Sequence, residues 1–360
     1  MGMSRFKASP NSHDIRSKII NILRKWANVL LAAAVSVICL IILELGLPQF
    51  GYSKWQIYNP SPNEPTFAQP DDTFGWHPKP GTYNYPGYSK GAADIKLTQF
   101  SDGRRATGET PDVPERQIIL IGGSYAQGGA LSDHQQFAAK LQSVMPKTEW
   151  MNYAVSGHGS FQALLILERL LSTKKLRRPL VIYGFGDFHA DRNIAQYRWI
   201  SMLNRFRKLT DSPSVYLPYA DIDEDGNLVR RSPKTHTPWW LSRYSNLASA
   251  LERALTRMIE LPRVYRKREA TVEIVKAMRS AALSAGAEFL VVALHYDKPR
   301  HKIFYEANFT AVDIPYLDCS ESLGDKSRYI IRGHNHPNEK RNDLWASCLA
   351  RRIGVQWPVQ

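Results

Sequence analysis

The run Arg116-Gln-Ile-Ile-Leu-Ile-Gly-Gly-Ser-Tyr-Ala-Gln-Gly-Gly129 constrains this chain more than any other stretch. Ile118 to Ile121 is short, continuous and apolar, the pattern of a parallel strand buried on both faces. Two glycines break it, a serine follows at once, and the segment Asp133 to Val144 then reads as a helix. A serine at the carboxyl end of a buried strand, just before a helix, stands where open α/β sheets bind their ligands. Ser124 is therefore a candidate nucleophile. A strand-to-helix turn whose serine merely caps the helix is the plainer alternative, and the stretch alone leaves both open. A phosphate cradle fits poorly, because no Lys-Ser/Thr pair follows the glycines and their spacing is not that of a dinucleotide loop.

Further short apolar runs repeat the theme: Glu149 to Val155, Leu180 to Tyr183, Phe289 to Leu294 and Val312 to Leu317. Helical segments are expected at Phe161–Leu171, Ala270–Ala285 and Asp343–Arg352. Strand, loop and helix alternate, which predicts an α/β fold with a mostly parallel five-stranded sheet and helices on both faces. The polar loops after the strands should converge on one edge: Ser156-Gly157-His158-Gly159-Ser160, then Gly184 to Asn193, then Arg332-Gly333-His334-Asn335-His336-Pro337-Asn338.

The 360 residues, 43% hydrophobic and 22% charged, suit one large globular domain with additions. From Trp26 to Leu47 the chain is apolar apart from Glu44, long enough to cross a bilayer, and six lysines and arginines precede it against one aspartate. This reads as a signal anchor (27–48) behind a basic cytoplasmic tail (1–26), with everything after residue 48 outside. No small-x-small cleavage site follows the apolar run. The formal charge is +14, and about +9 remains after the tail is set aside, which suits an acidic polysaccharide or anionic headgroups better than nucleic acid at that location. Cys319 and Cys348 lie in the exported part and could pair there.

Residues 49–115 read as a membrane-proximal lead-in rich in Pro, Gly, Tyr and Asp, and 116–360 as the main domain. An insertion at about 194–265 carries Trp239-Trp240 and the acidic turn Asp221-Ile-Asp-Glu-Asp-Gly-Asn. That turn starts like a calcium loop, but its twelfth position is Ser232, so a hairpin is expected. The paired tryptophans are either core or a surface for glycan or lipid. No metal spacing of the zinc type occurs, and no cofactor is expected.

Gly-Gly-Ser124, Asn152 to Gly157, Gly184 to Asn193 and His336-Pro-Asn, in that order, resemble the SGNH (GDSL-type) hydrolases, over about residues 116–355. The resemblance implies a three-layer α/β/α, flavodoxin-like fold and hydrolysis of small acyl esters, such as acetyl, on an acylated glycan or lipid. O-acyl transfer to a polysaccharide and a non-catalytic glycan-binding or assembly module are the alternatives. It implies Ser124 as nucleophile, His336 as base, and the amides of Ser124 and Gly157 as oxyanion donors. The chain departs from the pattern at three glycines. Gly123 replaces an acid, Gly186 the asparagine that donates to the oxyanion, and Gly333 the aspartate before the histidine. Asn193 or His189 are candidate substitutes for the missing donor. Asp187, His189 and His334 are candidates to orient the imidazole or position substrate; a backbone carbonyl is another.

Overall fold

In the computed structural model, residues 12–58, 64–205, 214–321 and 326–354 are described. The first eleven residues of the expected basic tail lie outside them. The chain divides into two compact units, Met1–Gln56 with Pro238–Leu255, and Ile57–Thr237 with Thr256–Gln360.

The second unit is built on five parallel strands: β1 (Arg116–Gly122), β2 (Thr148–Asn152), β3 (Leu180–Gly186), β4 (Glu288–His295) and β5 (Tyr316–Asp318). They lie side by side in the order β5-β4-β3-β1-β2, the doubly wound order of the flavodoxin type. Ile118 pairs with both Trp150 and Leu180, and Val291 with both Tyr183 and Tyr316. Successive side chains of β1 face opposite ways. Ile118 and Leu120 pack with Phe137, Leu141, Trp345 and Leu349, from helices Phe137–Val144 and Glu339–Ile353. Ile119 and Ile121 pack with Leu164, Ile274 and Phe309, from helices Ser160–Thr173, Lys267–Ser284 and Pro299–Ala311. Both faces are covered, which is why the strand sequences run continuously apolar instead of alternating.

Two boundaries differ from expectation. The fifth strand is only Tyr316–Asp318, because Val312 caps a helix that was not anticipated and Ile314 is buried after a turn at Asp313 (φ +53°). The compact unit also begins at Ile57 and not at Arg116. Two antiparallel hairpins from the expected lead-in, Ala68–Asp71 with Gly75–Pro78 and Gly81–Tyr85 with Ile95–Gln99, belong to it. The acidic turn forms a hairpin between Leu217–Ile222 and Leu228–Lys234, with Asn227 N donating to Asp223 Oδ1 at 2.8 Å. Cys319, just after β5, is disulfide-bonded to Cys348 in the last helix.

In the first unit, helix Ser12–Gly46 is apolar and exposed over a stretch long enough to cross a membrane. Near its end, the Glu44 carboxylate accepts hydrogen bonds from Ser245 Oγ (2.8 Å), Asn246 N (2.7 Å) and Leu247 N (3.0 Å). The Asn246 and Leu247 amides open a helix, so the one acid in the apolar run serves as an N-terminal cap. Trp239 and Trp240 are exposed here, not core.

Candidate active site

β1 ends at Gly122, and the next residues turn directly into the short helix Ser124–Gln127. This places Ser124 between the carboxyl ends of β1 and β3, where the winding of the sheet reverses and a crevice opens. From the far end of the chain, Pro337 and the Asn338 cap of the last helix set the position of His336; Asn338 Oδ1 accepts from Arg341 N at 3.2 Å. His336 Nε2 comes to 3.0 Å from Ser124 Oγ.

The other ring nitrogen decides what this contact can do. His336 Nδ1 lies 3.3 Å from the carbonyl oxygen of His334. A carbonyl only accepts, so Nδ1 carries the proton and Nε2 is left as the acceptor for the serine hydroxyl. Burial, with a smaller contribution from the Arg192 charge, holds the His336 pKa below its ordinary value. The imidazole is thus neutral at neutral pH and able to take a proton.

Gly333 has φ +88°, and a Cβ there would lie 2.9 Å from the Tyr88 carbonyl oxygen. An aspartate cannot stand at this position without moving the loop. His334 stacks on Tyr88 at 3.9 Å between centroids and lies 4.5 Å from the His336 ring. Burial draws its pKa down to about 4, so both neighbouring rings are uncharged together.

Ser124 and His336 share a cavity of about 520 Å³. Phe67, Leu97, Val155, Phe188, Trp199 and Leu203 give it a mostly apolar wall, with Arg192 set among them. Three of the groups that shape it were not anticipated. Trp76 is fully buried; its Nε1 donates to Ser156 O at 3.0 Å, and its ring fills the space where a Cβ on Gly157 would sit. Gly157 itself has φ +86°. Gln127 Oε1 accepts from Ser156 N at 3.1 Å and from Ser156 Oγ. Arg105 is buried and donates to the carbonyls of Gln127 (2.9 Å), Gly128 (2.6 Å) and Leu131, and to Asp133 Oδ1 at 3.2 Å. It clamps the loop that follows Ser124. Nothing in the sequence signalled Arg105.

Several expected residues stand elsewhere. Asn193 is buried, with Nδ2 donating to Ser160 Oγ (3.0 Å) and Thr271 Oγ1 (2.9 Å) and Oδ1 accepting from Phe161 N (3.1 Å). Every polar atom is committed to joining helices, so it is not the substitute oxyanion donor. Asp187 Oδ2 bonds His301 Nδ1 (2.6 Å) and Asp297 N (2.9 Å), so it does not orient His336. His189 is buried beneath the nucleophile turn, with Nδ1 2.8 Å from Tyr183 Oη and Nε2 2.7 Å from where a Gly123 Cβ would be. Burial keeps it neutral. Asp191, on the same turn, pairs with Lys267.

Among the described residues, Asp187, His295 and Asp297 could hold a cation, their donor atoms lying within 4.8 Å of one another. Most of those donors are already bonded: His295 Nε2 to Asp297 Oδ1 at 3.0 Å, and Asp187 Oδ2 as above.

No family model and no curated protein matches the chain in sequence. Many solved structures with a related arrangement are GDSL-type esterases. An esterase from Pseudoalteromonas sp. is 14% identical, with a TM-score of 0.39, over 66% of this chain and 97% of its own. A putative lipolytic protein of the G-D-S-L family from Desulfitobacterium hafniense is 12% identical (TM-score 0.37; 66% and 98% covered). A two-domain esterase active on acetylated mannans is also 12% identical (TM-score 0.37; 68% and 53% covered).

Proposed function

We propose that this chain is a serine esterase that removes acyl groups from a glycan outside the cytoplasmic membrane, through a Ser124–His336 pair. The observation that carries the reading is the 3.0 Å contact between Ser124 Oγ and a His336 Nε2 left free to accept, in the wall of a mostly apolar cavity. Ser124 Oγ attacks the ester carbonyl carbon while its proton passes to His336 Nε2, and the carbonyl π pair moves onto oxygen. The amides of Ser124 and Gly157 receive that oxyanion. Collapse breaks the bond to the alcohol, which takes the proton from His336, and water repeats the sequence to free the acid. The His334 carbonyl stands in for the usual carboxylate, fixing the tautomer without adding charge.

The location follows from the first unit. The apolar helix crosses the membrane with the basic tail in the cytoplasm, by the bias of positive residues toward that side. Trp239, Trp240 and Tyr244, exposed on the segment hydrogen-bonded to Glu44, suit a membrane interface. The +9 charge of the outward part favours an acidic, O-acylated polysaccharide.

The test is a fluorophosphonate probe on the full-length chain in detergent, read by intact mass. A single adduct that disappears in Ser124→Ala and slows in His336→Ala is expected. Folded wild-type protein that takes no adduct refutes the reading. Turnover of acetylated acidic glycans then tests the substrate.

A further inference from the structure

The esterase reading leaves the oxyanion with two backbone donors and a gap. Gly186 stands where the resembling family carries a donating asparagine, and the gap cannot be filled by a rotamer of a neighbour on that strand. A Cβ on Gly186 would lie 2.5 Å from Phe188 Cε1, so the Phe188 ring occupies the space of the missing side chain. On that ring rests Arg192, its guanidinium carbon 4.6 Å from the Phe188 centroid and 4.3 Å from the Trp199 centroid. Arg192 Nη1 lies 3.2 Å from the site of a Gly123 Cβ, which covalent geometry puts within about 7 Å of the Ser124 amide.

Two features set this cation apart. It is enclosed by aromatic faces in the cavity wall, yet it forms no ion pair among the described residues. Of its five N–H donors one is used, by Nη1 to His158 O at 2.8 Å. Arg192 is half-buried, and a partly desolvated charge without a counter-ion carries a cost that is offset when an anion meets it. Contact with two rings and the bond to His158 O hold the guanidinium in place, which limits the directions its remaining N–H groups can take. They have no acceptor but what enters the cavity. Burial lowers the guanidinium pKa to about 10, so the charge persists at neutral pH.

We infer that Arg192 is the third oxyanion donor, replacing the asparagine that Gly186 lacks. As Ser124 Oγ bonds to the carbonyl carbon, the charge that collects on oxygen is met by an edge N–H of Arg192 besides the two amides. The ester itself is neutral, so the added attraction arises mainly as the transition state forms, and it acts on kcat.

This inference rests on the proposed esterase activity, and the experiment separates the two. Full-length wild type, Arg192→Met and Arg192→Lys are compared in detergent on p-nitrophenyl acetate and on mono-p-nitrophenyl glutarate, whose acyl part carries a carboxylate. Melting is followed alongside. Expected is a loss of about 100- to 1000-fold in kcat for Arg192→Met on both esters, with KM little changed and the melt preserved. Arg192→Lys, with a charge but no fixed fork, should recover part of the rate. With the cation gone, the acid limb of the pH–rate profile should also move upward, since Arg192 now holds the His336 pKa down. Three results overturn the inference: unchanged kcat on the neutral ester; a loss confined to KM for the glutarate ester, which would make Arg192 a substrate-carboxylate binder; or melts that collapse in both variants, which would make it structural. A wild-type chain that neither labels nor turns over either ester sinks the esterase reading itself.

Discussion

Replacing Arg105 by methionine should cost both stability and reactivity, and the size of the effect can be worked from its contacts. The side chain is 2% exposed and reaches three carbonyls and one carboxylate. Methionine fills much of the volume but donates nothing. Asp133 Oδ1 keeps a bond from Thr98 N at 3.0 Å and stays partly solvated, so its loss is modest. Gly128 O keeps Leu131 N at 3.2 Å and Gln127 O keeps Asn152 Nδ2 at 3.4 Å, so the Leu131 carbonyl is the acceptor left most exposed to the loss. One orphaned buried acceptor costs about 1–3 kcal/mol and the weakened carbonyls add to it, partly relieved by the charge no longer buried, so the net is about 2–3 kcal/mol. For a unit of about 290 residues, unfolding entropy scales to about 0.6 kcal/mol per degree, and the melting temperature should fall by about 3–5 °C. Gly129 N donates to Ser124 O at 2.8 Å, so a loosened 128–131 loop also disturbs the nucleophile, and fluorophosphonate labelling should slow with the melt. Arg105→Lys, with one point of charge in place of a fork, should recover little. A methionine variant melting within about 1 °C of wild type would refute the clamp.

Labelling of Ser124 needs a neutral His336, so its rate should fall as pH drops, with a midpoint below the ordinary histidine value of about 6.5; a titration midpoint above 7 would show that the ring is not buried as described. Trp76→Ala should cost about 3–5 kcal/mol in a thermal melt and slow labelling through the Ser156–Gly157 turn, whereas Trp76→Phe restores packing without the bond to Ser156 O. Gly333→Asp, which on paper rebuilds a triad, should instead lose about 1–3 kcal/mol to backbone strain and gain no labelling rate, because its Cβ meets the Tyr88 carbonyl. Replacing Cys319 and Cys348 by serine opens a loop with a sequence separation of 29 and should lower stability by about 3–4 kcal/mol, seen as a drop in the denaturant midpoint.

What could be read from the sequence follows from what each residue touches. Ile118 to Ile121 announced a doubly buried strand because both faces are covered by helices, and every long strand of the sheet carried the same mark. Val312 and Ile314 looked like a strand edge because alternation does not tell a pleat from the closing turn of a helix. Ser124 and His336 are 212 residues apart, and only the order of the short blocks connected them. Asn193 was misplaced for a simple reason. One turn beyond a strand end, an asparagine that faces the crevice and one that faces Thr271 have the same local sequence. Arg105 and Trp76 left no trace as site residues because their partners are mainly backbone carbonyls, which every residue has.

Gly123, Gly186 and Gly333, where the sequence departs from the SGNH pattern it resembles, have opposite meanings in an inert site and in a working one. A side chain lost by drift leaves a hole, because close-packed surroundings relax only in part. Here none of the three positions is a hole. The space beside Gly123 is taken by His189 Nε2, the His158 carbonyl and Arg192 Nη1, that beside Gly186 by the Phe188 ring, and that beside Gly333 by the Tyr88 carbonyl. The replacements also bear on each other: Phe188 carries the Arg192 stack, and Tyr88 stacks against His334, whose carbonyl holds His336. One change in such a set is of no use without the others, since Phe188 would collide with an asparagine at 186 and Tyr88 with an aspartate at 333. A glycan-binding module descended from a hydrolase has no need to keep a serine and a neutral imidazole 3.0 Å apart with the correct nitrogen free. The coordinated filling therefore favours the proposed working site, in which the His334 carbonyl does the work of an orienting carboxylate and Arg192 that of a donating asparagine.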